Sequence, residues 1–272
     1  MKKFIALMLV LVMALTLVAC GGAKDNTETT GAPIADSTAA DFTPVEAGKL
    51  IMATNAAFPP YEFYEGDKIV GIDAEIAGAI AEKLGLELVI DDMEFDSIIE
   101  AVKGGKADIG LAGMTVTDER AEIVNFTETY ATGVQVVIVT VNSTITSVDD
   151  LFAEGAFTTI GVQRNTTGDL YTTWDLEDAD KAEIMRYSKG AEAIQALMTG
   201  KVDCVVIDNE PAKAFIDANE GLKILATQYA VEDYAAAMNK DNEALYNAVN
   251  EALKELIADG TVQAIVDKYI NN

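Results

Sequence analysis

Glu100-Ala101-Val102-Lys103-Gly104-Gly105-Lys106-Ala107-Asp108, followed by the apolar Ile109-Gly110-Leu111, has an echo further along the chain. The echo is Gln195-Ala196-Leu197-Met198-Thr199-Gly200-Lys201-Val202-Asp203, followed by Cys204-Val205-Val206-Ile207. Each copy reads as the end of an amphipathic helix, a tight Gly-Lys turn, an aspartate and a buried strand. That is half of a βαβ unit, present twice. Parallel strands need helical crossovers, so alternating units imply parallel sheets covered by helices. Two copies imply two such sheets, one in each of two lobes.

The flanking segments extend the alternation. Lys49 to Thr54 reads as a strand, and Asn55 to Tyr61 as a loop held extended by Pro59-Pro60. From Asp73 a helix is expected, with Ile76, Ile80 and Leu84 on one face and Gly85 as its C-terminal cap. Glu87 to Ile90 reads as a strand, Asp96 to Gly104 as a helix and Ala107 to Leu111 as a strand. The β-branched run Val134 to Val141 suits a chain crossing between lobes. In open α/β sheets ligands bind beyond the carboxyl ends of the strands. The informative loops are therefore those after Thr54, Leu111, Gln163 and Ile207.

Those loops carry the polar chemistry. After Leu111 come Ala112, Gly113, where backbone can approach a ligand closely, and Thr115 with a hydroxyl. Thr117 is placed to cap a short helix carrying Arg120. Arg120 could grip a carboxylate through two parallel N–H bonds, or pair at the surface with Glu119 or Glu122. Gln163 precedes Arg164-Asn165-Thr166-Thr167 at a helix entry, where backbone N–H groups suit an anion or Thr166 and Thr167 simply cap. Asp208, before Asn209-Glu210-Pro211, could hold an ammonium or cap the next helix. Phe58 and Phe95 lie beside the same edge, as pocket walls or as core. Taken together, these features describe a trap for a zwitterion: an arginine for a carboxylate, an aspartate for an ammonium and two aromatic walls.

Composition narrows the classes. The chain of 272 residues is half apolar, carries a formal charge of −26 and contains no histidine. Such acidity excludes a nucleic-acid footprint and docking by charge on an anionic membrane. Without histidine the commonest general base and metal ligand are missing, and no metal or cofactor is expected. At the N-terminus, Lys2-Lys3 and the apolar run Phe4 to Ala19 read as an export signal rather than a span. Leu17-Val18-Ala19-Cys20-Gly21-Gly22 resembles a bacterial lipobox, with Cys20 acylated by chains such as palmitate after cleavage; the alternative is a core helix with a buried cysteine. Residues 20–47 then form a polar tether without period. With Cys20 so used, Cys204 has no intramolecular partner and reads as a small buried hydrophobe.

Several stretches together carry a family resemblance. They are Ala53 to Phe63, Val70-Gly71-Ile72-Asp73, Ala112 to Arg120, Asn125-Phe126-Thr127, Val202-Asp203 and Ile257 to Thr261. In this order they resemble the family 3 extracellular solute-binding proteins, which serve polar amino acid ABC importers, over essentially the whole globular part. The resemblance implies an α/β, type II periplasmic-binding-protein-like fold. Each lobe would be a mostly parallel sheet flanked by helices, with the ligand cleft between them. Lobe 1 would comprise 49–133 and 232–272, and lobe 2 134–231.

By the same resemblance Arg120 holds the ligand α-carboxylate with amides near Thr115 and Thr167. Asp208 holds the α-ammonium, with the Gly113 carbonyl and the Thr115 hydroxyl as further acceptors. Phe58 and Phe95 sandwich the side chain, and Asn55 and Gln163 reach its tip. Ala112 and Thr166 complete the expected set. Asn55 stands where many members that bind glutamine or basic amino acids carry Asp, which tilts the expectation toward a neutral polar ligand. The implied protein is a monomeric lipoprotein on the outer face of the cell membrane, on the periplasmic side where an outer membrane exists. Its partners are an amino acid and a permease with a separate ATPase. A sensory lipoprotein and a lyase resembling cyclohexadienyl dehydratase are the rival readings.

Overall fold

The computed structural model describes residues 42–270; the expected signal segment, Cys20 and most of the tether lie outside the described residues. β1 (Lys49–Thr54) is apolar on both faces, with Leu50 and Met52 in one hydrophobic layer and Ile51 and Ala53 in another. A strand buried on both sides requires cover on both sides. A small antiparallel meander follows, β2 (Ala57–Phe58), β3 (Glu62–Glu65) and β4 (Lys68–Val70). In α1 (Ile72–Leu84) the four-residue spacing buries Ile76 and Ile80 completely, and Gly85 at φ 69° closes the helix in the left-handed conformation. Each such isoleucine contributes roughly 1.5–3 kcal/mol of burial.

Next come β5 (Glu87–Asp92), α2 (Ile98–Lys103), β6 (Ile109–Gly110), α3 (Asp118–Ile123) and the long β7 (Asn125–Thr140). After α4 (Asp149–Phe152) the pattern repeats with β8 (Thr158–Gln163), α5 (Thr167–Thr172), β9 (Ala182–Tyr187), α6 (Gly190–Met198) and β10 (Cys204–Asp208). The chain continues through α7 (Asn209–Ala218) and β11 (Leu222–Ile224) to β12 (Ala230–Met238), and ends in α8 (Glu243–Ala258) and α9 (Thr261–Ile270).

The strands join in the order β5-β1-β6-β12-β7-β10-β8-β9, with β11 on the free end of β7. β5, β1 and β6 are parallel, as are β10, β8 and β9; β7 and β12 run antiparallel between the two groups. The molecule is thus two-lobed, each lobe a three-layer α/β/α stack. In β7 and β10 the alternation is as strict as in β1: Val137, Val139, Cys204 and Val206 enter one layer, and Val136, Ile138, Val205 and Ile207 the other. Cys204 is a buried thiol within this packing.

The sequence echo is an atomic echo. Gly105 (φ 66°) and Gly200 (φ 71°) take the same left-handed turn. Lys106 N–H donates to the Ala101 carbonyl and Lys201 N–H to the Ala196 carbonyl, each at 2.9 Å. Asp108 and Asp203 then each accept a backbone N–H from the adjacent parallel strand, of Ile51 and Thr159 respectively, both at 2.8 Å.

Local boundaries differ in four places. The expected loop after β1 contains β2, because Phe58 and Ala57 pair with Glu62 and Phe63. The helix expected from Asp96 opens as a 3₁₀ turn, Phe95–Ser97, because the chain enters from extended Glu94. The strand expected over Ala107 to Leu111 narrows to Ile109–Gly110. The crossing strand starts at Asn125, well before Val134. Its first half pairs with β12 but mixes buried, half-buried and exposed residues, so it lacks the continuous apolar run that marks the second half.

Candidate ligand site

Strand ends bring the chemistry together. β1 leads into Asn55 and β6 into Ala112 and Gly113, while β8 ends on Gln163 and β10 on Asp208. These residues line one cavity of about 410 Å³ of atom-free space, part of it open to solvent. Phe58, Phe95, Thr115 and Arg120 share that wall, as do Thr166 and Thr167 at the start of α5.

Arg120 is buried. Thr117 caps α3 by accepting the Arg120 N–H at 3.2 Å. The guanidinium donates to the Thr115 carbonyl at 2.8 Å and to the Asn165 carbonyl at 2.7 Å. Its carbon lies 5.4 Å from the centre of the Phe95 ring, within cation–π range. Burial pulls its pKa down to about 10, and the Glu232 carboxylate acts in the opposite direction. It therefore remains a cation at neutral pH. The surface pairing considered for Arg120 is not what its side chain does.

Asp208 caps the helix that follows it and also lines the cavity. Its carboxylate accepts the Glu210 N–H at 3.1 Å, capping α7, and the Val134 N–H at 3.1 Å, while the Tyr234 hydroxyl donates to it as well. It also faces the cavity. Burial pushes the carboxyl up to about 7, against the pull of Tyr234 and the two N–H groups. A buried cation and a buried carboxylate thus line the same small space, which suits a zwitterion.

At another part of the wall, Gln163 Nε2 donates to Asn55 Oδ1 at 3.0 Å and to the Ser188 carbonyl at 3.2 Å. Asn55 Nδ2 in turn donates to the Met93 carbonyl at 2.7 Å. Arg164 does not line the cavity; it points outward and pairs with Asp96 at 3.4 Å. Phe58 stacks on Tyr61 with centroids 5.7 Å apart, and Tyr61 meets Tyr234 edge-on at 5.3 Å.

Four lining residues were not singled out from the sequence: Glu62, Gln135, Ile207 and Tyr234. Glu62 and Ile207 sit inside or beside stretches already marked by motif or strand end, and that proximity was a usable signal. Glu62 is fully buried beside Asp73, and burial, reinforced by that neighbour, holds its carboxyl well above the usual range. Asp73 is pushed up to about 6 by burial, offset by the Gly113 N–H and the Tyr130 hydroxyl, which donate to it at 2.8 and 2.9 Å. Asp73 thereby ties α1 to the Gly113 loop. Gly113 itself sits at φ 53°, and a Cβ there would come within 2.9 Å of the Phe58 ring.

A model of the bacterial extracellular solute-binding proteins, family 3, matches residues 50–272. The chain is 30% identical over 273 residues to the arginine-binding extracellular protein ArtP of Bacillus subtilis (strain 168), spanning 99% of this chain and 98% of that protein. It is 27% identical over 228 residues to the L-cystine-binding protein TcyJ of Escherichia coli (strain K12), spanning 82% and 83% respectively. The solved structure of an ancestral arginine-binding protein bound to glutamine matches with a TM-score of 0.76 at 35% identity, covering 84% of this chain and 100% of that one. Fold, sequence motifs and these likenesses agree: the chain belongs to the bacterial extracellular solute-binding proteins, family 3.

Proposed function

We propose that this protein captures a free polar amino acid outside the cytoplasm by closing its two lobes on it, and hands it unchanged to an ABC importer. The observation that carries this reading is the buried Arg120 and the buried Asp208 on the wall of one cavity. Arg120 would take the α-carboxylate with amides near Thr115 and Thr167. Asp208 would take the α-ammonium, helped by the Gly113 carbonyl and the Thr115 hydroxyl. Phe58 and Phe95 would flank the side chain, and Asn55 and Gln163 would meet its tip, with Ala112 and Thr166 completing the wall. The three similar proteins described above are named for, or were solved with, arginine, cystine or glutamine, all of which share the zwitterionic head this arrangement fits.

Lobe 1 would be residues 49–133 with 232–272 and lobe 2 residues 134–231. The chain crossings pair Val134 with Val231 and Gly133 with Glu232. Ligand contacts with both lobes exist only when the cleft is closed, so binding shifts the equilibrium toward closure. Cleavage before Cys20 and acylation there would tether a monomer to the outer face of the membrane through the 20–47 linker, beside a permease served by a separate ATPase.

The test is thermal unfolding of the full chain against the twenty amino acids and L-cystine. A ligand bound by the native state alone raises the midpoint with the logarithm of its excess over Kd. One or a few polar amino acids are expected to do so. No shift with any of them would overturn the reading.

A further inference from the structure

Glu232 is buried in β12, yet it is not part of the cavity wall. Three side chains that donate to its carboxylate are. Thr115 donates at 3.1 Å from the loop after β6, Thr167 at 2.9 Å from the start of α5, and Gln135 Nε2 at 3.1 Å from β7. The three bonds converge on one oxygen, Oε2, and the Thr115 and Thr167 hydroxyl oxygens lie 3.4 Å from each other. Thr115 and Thr167 belong to opposite sides of the cleft, and Gln135 is directly opposite Asp208 in the β7–β10 pairing.

A carboxylate only accepts hydrogen bonds, and a hydroxyl has one proton to give. Both threonines spend that proton on Glu232, so each offers the cavity lone pairs alone. Gln135 gives one of its two amide N–H groups to Glu232, and its Oε1 is buried without a hydrogen-bond partner. One carboxylate outside the cavity thus leaves two hydroxyls on the cavity wall as acceptors and orients the Gln135 amide, near the aspartate that faces them from β10.

We propose that Glu232 is a positioning residue of the ligand site, fixing the Thr115 hydroxyl as an acceptor for the ligand's ammonium and clasping the two sides of the cleft around it through Thr167 and Gln135. The proposal rests on the amino-acid-binding reading above. Glu232 acts on the closed complex, because only closure brings Thr167 to the carboxylate that also holds Thr115. Its removal should therefore shorten the life of the complex and leave capture by the open form unchanged.

The experiment is stopped-flow binding to the full-length wild-type chain and its Glu232→Gln variant, with calorimetric unfolding of both in the absence of ligand. The probe is the tightest binder among the twenty amino acids and L-cystine. Loss of hydrogen bonding to a charged group corresponds to about a 10- to 100-fold effect. The expected result is a rise of that order in koff, with kon and the ligand-free midpoint little changed. Thr167→Val should raise koff similarly, Thr167→Ser should restore it, and the effects of Glu232→Gln and Thr167→Val should not add. The two Thr167 variants test the clasp even if Glu232→Gln fails to fold, since the hydroxyl rescue at position 167 does not depend on it. An unchanged koff in Glu232→Gln, or equal losses in Thr167→Val and Thr167→Ser, overturns the proposal while amino acid binding stands. Failure of the wild type to bind any member of the panel overturns the underlying reading and this proposal with it.

Discussion

Arg120 has lost most of its water and recovered part of the loss through two backbone carbonyls, an aromatic face and the field of Glu232. Such a cation is poised rather than spent. A guanidinium has five N–H donors, and the bonds to Thr115 and Asn165 account for two of them. Replacing it with alanine would leave a ligand carboxylate desolvated without a counter-charge, a loss of about 3–5 kcal/mol for a broken buried pair. Arg120→Ala is therefore expected to weaken amino acid binding by more than about 100-fold in isothermal titration. Lysine at 120 should recover little, since an ammonium cannot reproduce the planar fork. Near-native affinity in Arg120→Ala would remove Arg120 from the site.

The paired helix–turn–Asp–strand elements offer an internal control. In both copies a left-handed glycine ends the helix, and an aspartate pins the adjacent strand. The copies differ in load. Asp108 accepts two backbone N–H groups, of Ile51 at 2.8 Å and Val45 at 2.7 Å, whereas Asp203 accepts that of Thr159. Asp108 is also largely buried, and burial raises its pKa. A buried donor left unmatched costs roughly 1–3 kcal/mol. Asp108→Ala should accordingly destabilise the ligand-free protein by about 2–4 kcal/mol and Asp203→Ala, whose bond is solvent-exposed, by about 1 kcal/mol or less, read from urea unfolding. Equal losses would mean that the strand ladders, rather than the aspartates, hold these junctions. The two copies were legible because a Gly-Lys-x-Asp turn is a local pattern. The β2–β4 meander was not, because its strands are short and one of them follows two prolines.

Across the whole molecule, buried carboxyls and surface acidity act in the same direction. Asp208 is raised to about 7 and Asp73 to about 6, both chiefly by burial, and Glu62 stands well above its ordinary value. The folded protein holds protons at these sites that the unfolded chain releases near pH 4. Their contribution to stability is complete below that pH and is lost as the pH rises through about 6 to 7. The formal charge of −26 adds self-repulsion that also grows with pH. Ligand-free protein should thus unfold at a higher temperature at pH 5 than at pH 8. Binding should run the other way, because an ammonium favours ionised Asp208: affinity is expected to fall severalfold or more between pH 8 and pH 6. Calorimetry and titration at the same pH values check both signs. Affinity independent of pH would separate Asp208 from the ammonium.

Much of this protein was written locally. Strict alternation of apolar residues in β1, β7 and β10 calls for cover on both faces, and βαβ connectivity sends strand ends to a common edge. Asn55, Gly113, Gln163 and Asp208 could be placed near a cleft on that ground. Arg120 stood between the cleft and a surface pairing, and only the family resemblance assigned it to a ligand. What the tertiary structure alone decided is which polar side chains meet. Glu232, Gln135 and Tyr234 lie on crossing strands whose sequence pattern shows pleat and burial but names no partner. Their partners, Thr115, Thr167 and Asp208, come from distant loops. Period and propensity are properties of neighbours along the chain, whereas a hydrogen bond across a cleft depends on how two lobes pack.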